Sequence, residues 1–176
     1  HDLGTAVNVQ CMVFGNLGSS SATGVGFTRN PSSGEKKFFG EWLQNAQGED
    51  VVAGIRTPNP ISGPSTLSLE NCMPEMYKEL NVVQKKLENH YNEMQDIEFT
   101  IENNKLWLLQ TRNGKRNGLA TIKIALDMME EKMHSSQAML NKISPHHINE
   151  ILLPTIEYSK NVKTNIISHG LPAGPG

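Results

Sequence analysis

Apolar and polar positions alternate in several short runs along the first half of the chain, and then helical spacing takes over. Val7, Val9, Cys11 and Val13 occupy every second position of residues 5–14, which predicts a strand with one apolar face. A small-residue stretch runs from Gly15 to Gly26. Val25-Gly26-Phe27-Thr28 reads as a short strand leaving it, and Asn30-Pro31-Ser32-Ser33-Gly34 as a turn. Residues 37–43 and 51–56 predict two further strands around the polar connection Asn45-Ala46-Gln47-Gly48-Glu49-Asp50. Residues 57–71, with Pro58, Pro60 and Pro64, predict a long irregular loop. Pro74 then opens a helix, where its missing N–H costs little, and Met76, Leu80, Val83, Leu87, Tyr91 and Met94 recur at helical spacing. After Arg116 a seam of Leu119, Ile122, Leu126, Met129 and Met133 predicts another helix. Ser135-Ser136 and Ser144-Pro145 mark two more helix starts, with Ser as cap.

Between the long helix and this helical region lies a predicted strand pair. Asp96, Glu98, Thr100 and Glu102 alternate with Ile97, Phe99 and Ile101, so the carboxylates share one face and the apolar residues the other. The return strand is residues 106–112. A two-residue loop at Asn103-Asn104 pairs Phe99 with Leu108 and Ile97 with Gln110, and leaves Gln110 and Arg112 among the apolar side chains. A three-residue loop ending at Lys105 pairs Asp96 with Arg112, Glu98 with Gln110, Phe99 with Leu109 and Ile101 with Trp107. A slip of one residue exchanges the faces of a whole strand, so the two registers are different proteins. Burial of Phe99, Ile101, Trp107 and Leu109 together favours the second. It gathers Asp96, Glu98, Gln110 and Arg112 on one surface. Two carboxylates at this spacing suit a hard cation such as Mg²⁺, which takes oxygen ligands and bridges to phosphate. A guanidinium beside them suits phosphate charge. The competing reading is a solvated face with a cross-strand ion pair, worth about 0–1 kcal/mol.

The 176 residues allow one domain, or one domain with an appendage, and 37% hydrophobic content permits a buried core. A net charge of −2 gives no reason to expect nucleic acid as a partner, and no apolar run approaches the roughly 20 residues that span a bilayer. Cys11 and Cys72 have neither metal-ligand spacing nor the numbers for a disulfide framework, which favours a reducing, cytoplasmic setting. The chain lacks an initial Met and ends in Gly170-Leu171-Pro172-Ala173-Gly174-Pro175-Gly176, which reads as a linker within a longer protein. These patterns predict an α+β unit over residues 1–116, an antiparallel sheet with one long helix. A helical connector over 117–169 and the start of a linker over 170–176 follow, with the boundary near residues 114–117.

Other candidate chemistry is weaker. The stretch from Gly15 to Gly24 suits either a backbone cradle for phosphate or a hairpin loop; it has neither the Gly-Lys-Ser/Thr of a P-loop nor a dinucleotide fingerprint. Glu41, Glu49 and Asp50 add carboxylates that singly read as solvated. His146-His147 reads as a surface pair, and the Met-rich seam as packing.

Several runs resemble the ATP-binding region of the pyruvate phosphate dikinase family. They are Gly4-Thr5-Ala6-Val7-Asn8-Val9-Gln10, Met12-Val13-Phe14-Gly15-Asn16, Thr23-Gly24-Val25, Phe27-Thr28-Arg29-Asn30-Pro31 and the long run from Asn45 through Pro58. Met94-Gln95-Asp96-Ile97-Glu98-Phe99-Thr100-Ile101 and Leu109-Gln110-Thr111-Arg112-Asn113-Gly114-Lys115-Arg116 complete the set. The resemblance implies part of an ATP-grasp fold, with Asp96, Glu98, Gln110 and Arg112 as catalytic groups at a Mg–ATP site and Asp96 and Glu98 as the metal ligands. It further implies nucleotide contacts for Gln10, for Thr23 and Gly24 in a loop over the phosphates, and for Glu41, Glu49 and Asp50. The implied reaction converts ATP, phosphate and pyruvate reversibly to AMP, pyrophosphate and phosphoenolpyruvate. A phosphohistidine carries the phosphoryl group between sites, in a protein expected to be a homodimer. The family's phosphate-binding Lys and Arg, its Thr-Ser-His segment and its pyruvate-binding barrel have no counterpart among these residues, so the isolated chain is expected to be inactive. At the terminal linker Gly174 stands where the family has Ser, and the loop over residues 61–71 is longer than usual. The rival readings are a piece of a pyruvate, water dikinase and a non-catalytic module of the same fold.

Overall fold

The computed structural model describes residues 4, 7, 9–54 and 56–153. Its elements in chain order are β1 (Ala22–Phe27), β2 (Phe39–Gln44), α1 (Gly48–Val52), β3 (Asn59–Pro60), α2 (Leu69–Cys72) and α3 (Pro74–Tyr91). They continue with β4 (Gln95–Glu102), β5 (Lys105–Asn113), α4 (Gly118–Glu130), α5 (Ser136–Leu140) and α6 (Pro145–Ile151). The five strands form one antiparallel sheet in the order β3-β2-β1-β4-β5. Ala22, Gly24 and Gly26 of β1 lie opposite Ile101, Phe99 and Ile97 of β4, so one face of the sheet is apolar. That face packs with Leu80 of α3 and with Trp42, Ile61, Leu69 and Met73 into the main core. Gly24 is required there: a Cβ would stand 2.6 Å from Cζ of Phe99 and 2.7 Å from the carbonyl oxygen of Glu41.

The hairpin from β4 to β5 uses both registers available to the sequence. Its loop is the two-residue Asn103-Asn104, each asparagine at positive φ (49° and 59°), and Phe99 pairs with Leu108 and Ile101 with Leu106. A two-residue hairpin turn of type I′ demands two left-handed residues, which asparagine supplies at low strain. A register shift at Glu98/Phe99 then moves the pairing by one, and beyond it Glu98 faces Gln110 and Asp96 faces Arg112. The expected pairings of Phe99 with Leu109 and Ile101 with Trp107 are therefore replaced, while those of the polar residues stand. Trp107 and Leu109 are not core residues: each remains over a third exposed, because β5 is the edge strand and Trp107 lies opposite Thr100 on the polar face.

Four other expectations change. The described part of residues 5–14 is irregular, and Val7 and Val9 are exposed; alternation makes no strand without a partner strand, and none pairs with this segment among the described residues. The described residues of 51–56 do not form a strand. Gln47 and Asp50 form a capping box, the Gln47 N–H donating to the Asp50 carboxylate, and this starts α1 instead. The loop over residues 57–71 is interrupted by β3 and by α2, whose cap Ser68 accepts from the Asn71 N–H. On α4 the buried stripe is Ala120, Ile124 and Met128, not the predicted seam, and Leu119 and Leu126 are exposed. The small Ala120 lets the helix lie close to Met94 and Phe27 in a second core. The expected linker at 170–176 and the far end of the connector lie outside the described residues.

Charged clusters fasten the helical region to the sheet. Glu93, just before β4, receives Arg116 at 2.9 Å and Lys142 at 2.7 Å. Burial pushes its carboxyl up, but hydrogen bonds and charge from Lys142 and Arg116 outweigh that and hold it below its ordinary value of 4.5. A depressed carboxylate stabilises the fold above its unfolded pKa, and this contribution is lost as pH falls through the folded value. Glu93→Gln is therefore expected to lower Tm at neutral pH, with the gap from the parent closing progressively as pH falls below about 4.5. Melting curves over pH 3–7 check it; a gap independent of pH contradicts it.

Candidate functional site

The second face of the sheet carries the polar residues. Register places Glu41 of β2, Val25 of β1, Glu98 of β4 and Gln110 of β5 in one row across four strands. The next row holds Phe39, Phe27, Asp96 and Arg112. The predicted quartet of Asp96, Glu98, Gln110 and Arg112 is thus brought onto one surface, and Glu41 joins it from two strands away. Arg112 Nε donates to Asp96 Oδ2 at 2.7 Å. That hydrogen bond and the Asp96 charge raise the Arg112 pKa further above its ordinary value, so it is a fixed cation at any working pH. Asp96 is buried beside an exposed guanidinium, which leaves the remaining N–H groups of Arg112 free to meet an anion from solution. Burial pushes the Glu41 carboxyl up.

A groove of about 230 Å³ opens over this face, lined by Thr23, Gly24, Val25, Gly48, Val51, Glu98, Phe99 and Leu109. The register shift explains Leu109 in that lining. An extra residue on β5 at this point turns its side chain from the expected core toward Glu98. Val51 enters because α1 crosses above β1 where a strand was expected. Val51 and Leu109 were not singled out from the sequence; alternation assigns Leu109 to the core, and no local signal announces the bulge.

The other predicted contacts are scattered. Thr23 and Gly24 lie inside β1, not in a loop; the buried Thr23 hydroxyl donates to the Phe99 carbonyl oxygen. Glu49 is exposed in the first turn of α1, and Asp50 is engaged in its capping box. Gln10 is exposed on irregular chain. The glycine-rich loop is pinned at the hairpin end of the sheet. There the Gly18 N–H donates to Asn45 Oδ1, and the Asn104 N–H to the Ser20 carbonyl oxygen. Arg112 pairs with Asp96 at the opposite end of β4.

Among the described residues no three His, Cys, Asp or Glu side chains converge as a metal cluster. Asp96 and Glu98 are a pair of hard oxygen donors on one face, a set that fits Mg²⁺, which is held by one or two carboxylates with phosphate and water completing its shell.

Comparison with known proteins gives this face a context. The family model described as "Pyruvate phosphate dikinase, AMP/ATP-binding domain" matches residues 1–67 and 65–133. The chain is 57% identical over 175 residues to pyruvate, phosphate dikinase of Rickettsia conorii, with 99% of this chain and 20% of that protein aligned. It is 56% identical over 180 residues to that of Rhizobium meliloti, with 98% of this chain and 20% of that protein aligned. Against the chloroplastic protein of Flaveria pringlei the identity is 51% over 173 residues, covering 98% and 18%. The chain thus spans about a fifth of the length of these relatives. Matched over most of its length by the model and over nearly all of it by these relatives, the chain belongs to the pyruvate phosphate dikinase AMP/ATP-binding domain family.

Proposed function

We propose that this chain is one wall of the Mg–ATP site of a pyruvate phosphate dikinase, and that the whole protein converts ATP, phosphate and pyruvate reversibly to AMP, pyrophosphate and phosphoenolpyruvate. The observation that carries the reading is the gathering of Asp96, Glu98, Gln110 and Arg112 on one sheet face beside an open groove. Residues 1–116 are then the C-terminal portion of an ATP-grasp nucleotide-binding domain. Residues 117–169 are a connector toward a phosphohistidine domain, with 170–176 the start of the linker. The protein works as a cytoplasmic homodimer whose other domains supply the phosphohistidine, the pyruvate site and the opposite wall of the cleft.

Phosphoryl transfer needs positioning and charge neutralisation more than covalent help from the protein. Arg112, a permanent cation held by Asp96, lies where it can hold phosphate oxygens in a fork and stabilise charge on the transferred group. Gln110 adds an amide beside it, and Val51 of α1 and Leu109 line the groove. Asp96 and Glu98 would hold Mg²⁺, which when bound draws charge from the phosphate oxygens.

Phosphate dependence tests the reaction. With ATP and pyruvate present, the full-length protein is expected to form pyrophosphate and phosphoenolpyruvate only when inorganic phosphate is added, and EDTA is expected to stop both. Phosphoenolpyruvate formed without added phosphate assigns the chain to a pyruvate, water dikinase instead.

A further inference from the structure

Gln95 is fully buried, yet it makes no contact with the groove and had no role in the reading above. Its amide is spent across the hairpin. Nε2 donates to Asn113 Oδ1 at 3.0 Å and to the carbonyl oxygens of Glu93 and Met94 at 3.2 and 3.3 Å, and Oε1 accepts from Thr111 Oγ1 at 3.1 Å. Thr111 and Asn113 are the two neighbours of Arg112. Thr28, just past the end of β1, fixes the Gln95 backbone: the Gln95 N–H donates to Thr28 Oγ1 and the Thr28 N–H to the Gln95 carbonyl oxygen, both at 3.0 Å. Behind it, Thr28 Oγ1 donates to the buried Glu88 carboxylate at 2.7 Å.

This clamp lies where the hairpin has a choice. Near the turn Phe99 pairs with Leu108, and that register, continued without the shift, sets Thr111 opposite Asp96 and Arg112 opposite Gln95. Arg112 then projects from the core face, away from Asp96 and Glu98. β5 is the edge strand and has no second neighbour among the described residues to prevent it. In the shifted register Gln95 lies opposite Asn113 and Ile97 opposite Thr111, so both partner side chains fall on the buried face within reach of the amide. The alternative register dissolves both bonds and buries a guanidinium against the amide.

We infer that Gln95 is a positioning residue that selects the shifted register of β5 and thereby sets Arg112 and Gln110 against Asp96 and Glu98. The inference rests on the reading of Arg112 as an ATP-site group, and it acts only through that residue's placement. A buried amide is suited to this work: replacing it by an apolar side chain leaves the Asn113 amide oxygen and the Thr111 hydroxyl without their partner, so the shifted register loses its advantage.

The test uses the full-length protein and the rate of phosphoryl transfer from ATP to the protein in a single turnover. Gln95→Leu is expected to slow transfer about 10–100-fold, the range for removing a supporting residue behind a functional one, with less than a threefold change in half-saturating ATP. Thr111→Val, which keeps shape and removes one bond, is expected to slow transfer less and in the same direction. It carries the test if Gln95→Leu does not fold. The deciding measurement is the cycle with Arg112→Leu. In that background Gln95→Leu is expected to add less than a twofold loss, because the residue it positions is gone. Full multiplication of the two losses, or a folded Gln95→Leu that transfers at the parent rate, overturns the inference and leaves the ATP-site reading intact. Parent-rate transfer by Arg112→Leu alone overturns the ATP-site reading, and the inference with it.

Discussion

Arg112→Leu in the full-length protein is expected to slow phosphoryl transfer from ATP about 100–1000-fold while leaving exchange between pyruvate and phosphoenolpyruvate at the parent rate. The size follows from what is removed. Arg112 is a permanent cation held 2.7 Å from Asp96, in the row next to Glu98 of the groove lining, and leucine keeps its bulk but none of its donors. The loss falls mainly on the rate, since charge on the transferred group is what the guanidinium meets. Asp96→Asn should act comparably by another route: the shape is kept, but Arg112 loses its anionic partner and the pair of hard oxygen donors loses a charge. The pyruvate-side exchange is the internal control, because it reports folding and the phosphohistidine without ATP. Both rates falling together points to damaged folding. Neither falling means that this sheet face is the solvated ion pair that alternation alone also allows.

How much of this was legible in the sequence differs from element to element. Period-two alternation in residues 95–102 placed Asp96 and Glu98 on one face, and the structure agrees, because β4 is paired on both sides and regular throughout. The return strand was legible only in halves. Treating β5 as rigid forces one register on its whole length, whereas the molecule satisfies the Asn103-Asn104 turn and the polar pairing with a bulge between them. That bulge is decided by tertiary contacts, Gln95 among them, and it is why Leu109 is in the groove and Trp107 is not in the core. Helix α4 is apolar on more than one side, so spacing could not tell which stripe meets Met94. The described part of the N-terminal alternation pairs with no strand among the described residues, a fact that no local pattern carries. Arg29 and Glu88 were invisible for a related reason: each is an ordinary charged residue in its own segment, and only the packing of β1, α3 and α4 makes them a pair.

That pair sets the largest expected effect on stability. Arg29 is fully buried, and its Nη2 lies 2.8 Å from Glu88 Oε1 and 2.9 Å from Glu131 Oε2. Burial alone depresses the guanidinium, but hydrogen bonds and charge from Glu88 and Glu131 outweigh it and hold it above its ordinary pKa. Its Nη1 has no hydrogen-bond partner among the described residues and lies 3.9 Å from Asp127 Oδ2. Glu88→Leu is therefore expected to destabilise the fold by about 3–5 kcal/mol, since it strands a cation that cannot shed its proton. Glu131 then keeps its hydrogen bond from a part-exposed position, with Asp127 3.9 Å from Nη1. Arg29→Met should also destabilise, by leaving the Glu88 carboxylate with Thr28 as its remaining side-chain donor. The double variant Arg29→Met/Glu88→Leu is expected to be at least 2 kcal/mol more stable than the sum of the single losses predicts, because apolar side chains in a dry site need no partners. Urea melts of the four proteins give the coupling directly. Additive losses would mean that the two side chains act independently despite their contact, and that α4 is held on the sheet chiefly by Ala120, Ile124 and Met128 against Met94.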